Sequence, residues 1–95
     1  MYPRVSDAVH MPEVSRFFGI LIAIYYRDHA PPHFHAIYGE HEAVVAIESG
    51  AVTGYLPTRA MSLVQEWRIL RKAELISAWN RAQSGVRLPR IAPLE

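Results

Sequence analysis

The chain has 95 residues, of which 51% are hydrophobic and 20% charged, and ten Lys and Arg against nine Asp and Glu give a formal net charge of +1. That length supports one hydrophobic core and no second domain, and the hydrophobic content excludes a disordered chain. The charge is too balanced to imply a dedicated nucleic-acid binder by itself, and the lack of cysteine excludes disulfides and thiolate metal sites and suits a reducing cytoplasm.

Residues 1–10 show no periodicity and read as a leader or disordered tail, with Met11 beside Met1 as a second plausible start. A single α+β domain is expected over 11–85 and an extended tail over 86–95. From Val14 to Tyr26 the β-branched and aromatic residues cluster: Val14, Phe17, Phe18, Ile20, Ile22, Ile24, Tyr25, Tyr26. They predict one central strand, apolar on both faces, with Gly19 marking a bulge or the strand's true start. The apolar run from Phe17 to Tyr26 is about half of what a membrane-spanning helix requires, and no basic n-region with a cleavage site precedes it.

Arg27-Asp28-His29-Ala30-Pro31-Pro32 must be a connection, because consecutive prolines remove donors and hold the residues before them extended. A second strand is expected from His33 to Tyr38, a turn over Gly39-Glu40-His41-Glu42, a third strand from Ala43 to Glu48, a turn at Ser49-Gly50 and a short fourth strand from Ala51 to Leu56. After Pro57 the period becomes helical, with Thr58 as N-cap and Ala60, Leu63, Val64, Trp67 and Leu70 as a buried stripe. Arg71-Lys72 interrupts that stripe, and Leu75, Trp79 and Ala82 begin another out of phase. A kinked or split helix ending near Ser84-Gly85 follows. The expected architecture is a small, mostly antiparallel four-stranded sheet of order β-β-β-β-α, with the helical segment on one face.

Side chains two apart on a strand share a face, so His33 and His35 present two imidazoles side by side. His29, just upstream, can turn back over that face as a third nitrogen, with Asp28 as a carboxylate ligand or partner. Three neutral imidazoles suit a divalent transition metal, zinc above nickel, copper or iron. Histidines on a strand face also serve as hydrogen-bonding or partner-contact residues without metal, and that ordinary role stays open. So does a metal-free ribonuclease, with the histidines as acid and base, Arg27 or Arg16 holding phosphate and Tyr25 or Tyr38 donating a hydrogen bond. Glu40 and Glu42 straddle a turn near the histidine strand and could add carboxylates or binding contacts, though turn charges are usually solvated. Trp67 and Trp79 read as core or interface anchors. Arg68, Arg71, Lys72 and Arg81, with Arg87 and Arg90, could meet nucleic acid or an acidic partner, but the interleaved Glu66 and Glu74 favour a solvated helix face.

Met11-Pro12-Glu13-Val14-Ser15-Arg16-Phe17-Phe18-Gly19-Ile20, then Tyr25 through His35, Tyr38-Gly39-Glu40 and Leu63-Val64-Gln65-Glu66-Trp67 together resemble a family of small, mostly bacterial proteins filed as a domain of unknown function. The resemblance implies that Met11 is the native start and that Asp28, His29, His33 and His35 are the site. It also implies a partner encoded by a neighbouring small gene, as in toxin-antitoxin or regulatory modules. Arg71 stands where that family's helix is expected to carry a histidine, which puts a fourth ligand from the helix in doubt. Two functions follow as expectations: a component of a two-protein module binding a partner protein or nucleic acid through the histidine face, or a metal-dependent hydrolase or nuclease-like toxin using His29, His33 and His35. Histidines converging in a cleft would favour the enzyme, and a flat exposed face the interface. A homodimer through an open sheet edge is the third expectation.

Overall fold

The structure, a computed structural model, describes residues 12–95; the leader expected over residues 1–10 and the alternative start at Met11 lie outside the described residues. It is α+β, an antiparallel meander of five strands followed by two helices. The strands are β1 (Glu13–Phe17), β2 (Ile20–Ala23), β3 (His33–Tyr38), β4 (His41–Ala46) and β5 (Val52–Gly54), each paired with the next.

The expected four strands become five because the single strand read over Val14–Tyr26 is a hairpin. Phe17 pairs with Ile20, and the two residues between them, Phe18 and Gly19, have φ of 49° and 80°, the signs that a type I′ turn demands at both central positions. Phe18 stands at the tip, 60% exposed. At the next hairpin Tyr38 pairs with His41, so the turn is only Gly39-Glu40, with φ of 60° at Gly39. His41 and Glu42, expected in that turn, instead open β4. β5 is short: Gly54 has φ of 94°, and a Cβ there would lie 2.6 Å from the Glu42 carbonyl oxygen, so only glycine lets the strands approach.

One sheet face carries Phe34, Ala36, Ala43 and Val45, all buried, and the helices close over it. α1 (Thr58–Leu70) and α2 (Lys72–Gln83) are separated at Arg71, whose φ of −113° and ψ of 20° break the helical path. Pro57, not Thr58, occupies the N-cap of α1, with no side-chain cap. Trp67 of α1 is fully buried, its ring centroid 5.2 Å from Phe17 and 5.8 Å from Phe34. α2 ends in a Schellman motif, with Gly85 at φ 72°, its N–H donating to Ala82 and that of Val86 to Arg81.

Beyond α2 the chain runs extended along β1, an edge of the sheet. The β1–β2 register shifts between Glu13 and Ser15, and the Val14 carbonyl at that bulge accepts the Ile91 N–H at 2.7 Å. Ile91 and Leu94 are buried, and Trp67 Nε1 donates to the Ala92 carbonyl at 2.8 Å. Glu13 fastens the crossing: its carboxylate takes two hydrogen bonds from Arg16, at 2.8 and 3.2 Å, and one from Arg90 at 3.0 Å. The Arg16 hydrogen bond, with those of Arg90 and the charge of both, outweighs burial and lowers the Glu13 pKa. A carboxylate lowered in the folded state contributes stability present above the ordinary glutamate range and lost as pH falls through it to the folded value. Glu13→Gln is therefore expected to cost about 0.5–1 kcal/mol at pH 7 and progressively less as the pH falls below the glutamate range, a convergence that a series of urea denaturations from pH 7 downward checks. Among the described residues no helix is long and apolar enough to cross a membrane.

Candidate metal centre

The strand alternation that buries Phe34 and Ala36 under the helices sends His33 and His35 to the opposite face. There His33 lies across from Ala46, and His35 between Ala23 and Val44. The connection from Tyr25 to Pro32 arches over this end of the sheet and is held down by α2. Arg27, at φ 53°, donates its backbone N–H to the Ala82 carbonyl at 3.2 Å, and Gln83 Nε2 donates to the Asp28 carbonyl at 2.9 Å. A left-handed conformation at a non-glycine residue persists only when its surroundings hold it. Here it aims Asp28 down at the histidines.

Each imidazole is oriented by its Nδ1. The Pro31 carbonyl can only accept, so His33 Nδ1–H donates to it at 2.8 Å; His35 Nδ1 lies 2.9 Å from Glu42 Oε2 and donates to that carboxylate. Both Nε2 atoms then face Asp28 Oδ2, at 2.9 Å from His33 and 3.6 Å from His35. One ligand atom from each of Asp28, His33 and His35 lies within 4.8 Å of the others. Two ring nitrogens and a carboxylate oxygen thus converge, with His33 Nε2 in hydrogen-bond contact with Asp28 Oδ2. His35 Nε2 is buried and has no hydrogen-bond partner.

Burial raises the Asp28 pKa, but the His29 backbone N–H and the hydrogen bond and charge of His33 prevail, with His35 3.6 Å away, and hold it below the usual aspartate value. Tyr25, whose ring centroid is 4.2 Å from that of His35, has its phenol pushed up by burial and by the charges of Glu42 and Asp28. His33 packs on Trp79 at 5.0 Å. The cluster lies in a concavity of about 550 Å³, lined also by Tyr25, His29, Pro31, Val44, Ala46, Ala51 and Thr53.

Of the residues singled out in the sequence, Asp28, His33, His35 and Tyr25 come together here. His29 stays at the rim: its side chain is 86% exposed and its Nδ1 lies 2.9 Å from Asp28 Oδ1, on the far side of that carboxylate from the cluster. Of the expected trio His29, His33 and His35, the last two converge with Asp28, and His29 lies outside that cluster. Arg16 is on β1 with Glu13, the Arg27 guanidinium lies at Gly85, Tyr38 is on the helix-covered side beside Gly19 and Leu63, and Glu40 is exposed in its turn. None of the four lines the concavity. Glu42, read in the sequence as a turn charge of the kind that is usually solvated, instead meets His35. Its signal was the turn length: with a two-residue turn, Glu42 pairs with Ile37 and shares the face of His35. Four of the basic residues in the helical segment are engaged within the chain: Arg68 holds the Ile47 and Glu48 carbonyls, Arg71 meets Glu74, Lys72 meets Glu48 and Arg81 holds the Arg87 carbonyl.

In comparison with known proteins, the family described as a domain of unknown function, DUF4160, matches residues 19–80. Neither the curated proteins nor the solved structures returned a match.

Proposed function

The chain belongs to that family, whose description leaves the chemistry open, and from the geometry we propose that it binds one divalent transition-metal ion, zinc most readily, through Asp28, His33 and His35 and acts as a metal-dependent hydrolase. The observation that carries this reading is His35 Nε2, buried, unpartnered and aimed at the carboxylate that also faces His33. A metal-free ion pair of Asp28 with protonated His33 would account for one contact and leave that nitrogen bare. Histidine ligands typically give their other ring N–H to a carbonyl or carboxylate, the roles that Pro31 and Glu42 fill. Three protein ligands and an open position toward a cavity are the pattern of catalytic zinc sites; an ion held there would lower the pKa of a bound water toward neutrality.

The test is elemental analysis and zinc titration of tag-free protein alongside Glu42→Ala. Near-stoichiometric metal in the wild type, bound about 10–100-fold more weakly in the variant, is the expected result. Protein that stays metal-free after exposure to zinc, nickel and iron defeats the reading.

A second reading, in which the protein is one half of a two-protein module with a product of a neighbouring gene, draws support from a different surface. Among the described residues nothing covers the β5 edge: Val52, Thr53 and Gly54 are exposed, carry no charge and are followed by exposed Tyr55. Natural sheets usually blunt such an edge, and strand addition by a partner would use it. Val52→Lys should then weaken binding of the neighbour-encoded protein at least tenfold by calorimetry; unchanged affinity would count against this surface.

A further inference from the structure

The lining of the concavity limits what the proposed metal centre can act on, and the inference here rests on that proposal. We infer that the substrate is a small, uncharged ester or amide with an apolar body, and not a phosphodiester or other anion. The concavity of about 550 Å³ has the size of a small-molecule site. Its floor away from the ligands is Val44, Ala46 and Ala51, with Pro31 on the wall, a surface that gains by covering apolar groups.

Charge decides between substrate classes. Sites that handle phosphoryl groups place arginine, lysine or metal charge against the equatorial oxygens. Among the described residues no lysine or arginine lines the concavity, and the two arginines nearest in sequence are turned away, Arg27 toward Gly85 and Arg16 toward Glu13. Two carboxylates are present instead: Asp28 in the cluster and Glu42 on His35. A divalent ion balanced by these two carboxylates leaves a site of no net charge, which gives an anion no reason to enter. Tyr25 and Thr53 provide neutral hydroxyls able to orient a carbonyl or an ether oxygen. The reaction is addition of one water across the acyl bond: the water oxygen bonds to the carbonyl carbon, the bond to the leaving oxygen or nitrogen breaks, and the released proton goes to the leaving group.

The experiment compares zinc-loaded protein on 4-nitrophenyl butyrate and bis(4-nitrophenyl) phosphate, with the His33→Ala/His35→Ala double variant as background and Ala46→Phe as a cavity-filling variant checked for fold by circular dichroism. Expected are ester turnover at least tenfold above background, diester turnover at background, and in Ala46→Phe unchanged zinc content with at least a tenfold loss of kcat/KM. Diester turnover without ester turnover, or bound zinc with neither activity, overturns the substrate assignment and leaves the metal centre standing. Ester turnover that Ala46→Phe leaves intact overturns the assignment of the cavity as the substrate site. Failure to bind zinc at all overturns the metal centre and this inference with it.

Discussion

Zinc at a hundredfold excess over its dissociation constant should raise the melting temperature of the metal-free protein by roughly 10–20 °C, the shift that about 2.7 kcal/mol of binding linkage produces in a domain of this size. Substitution of either histidine should abolish the gain, since His33 and His35 each supply one of three ligand atoms. The metal-free stabilities should move differently. His33 is buried, holds Pro31 and Asp28 and packs on Trp79, so His33→Ala removes contacts as well as a ligand. His35→Ala deletes a buried nitrogen with no partner, which relieves a desolvation cost of about 1–3 kcal/mol against the lost hydrogen bond to Glu42 and ring contact with Tyr25. Differential scanning calorimetry of the wild type and both variants, with and without zinc, reads these effects together. A wild-type transition that zinc, nickel and iron(II) all leave in place sinks the metal centre.

The second large effect belongs to the core. Trp67→Ala should cost about 3–5 kcal/mol, as for other large-to-alanine changes at buried positions. That is a large part of the total for a domain whose stability is of order 5–15 kcal/mol. Trp67 joins the sheet, α1 and the C-terminal segment at once, through Phe17 and Phe34 on one side and the Ala92 carbonyl on the other. Trp67→Phe separates the contributions: it keeps most of the ring burial and loses the hydrogen bond, worth about 1 kcal/mol, and should make the bonds after Arg87 and Arg90 accessible to trypsin before the rest of the chain unfolds. Urea titration gives the first quantity and limited proteolysis the second. A Trp67→Ala variant within 1 kcal/mol of the wild type, well short of the buried-cavity range, would show that the residue does not hold the core together.

The parts of the fold legible in the sequence were those set by local periodicity. His33 and His35 share a face because strand side chains alternate, and the break at Arg71 and the stop at Gly85 follow from the loss of one apolar stripe and the end of the next. The first hairpin was hidden because a turn tip is normally polar, whereas Phe18 keeps the apolar run unbroken across it and takes its positive φ without the usual asparagine or aspartate. The site was half legible for a related reason. Spacing along one strand pairs the histidines, but the choice of Asp28 over His29 as the third group depends on how the connection is pinned by Ala82 and Gln83, more than fifty residues away in sequence. Glu42 depended on whether the turn before it has two residues or four.

The two edges of the sheet differ, and the difference bears on how far self-association through the sheet can go. The C-terminal segment lies along β1 and engages its Val14 carbonyl, whereas among the described residues nothing covers β5. If two copies join β5 to β5 about a twofold axis, the outer edges of the resulting double sheet are both β1 edges, each already occupied by its own chain's terminus. Growth ends at that point, so pairing through the sheet yields a closed dimer and not a fibre.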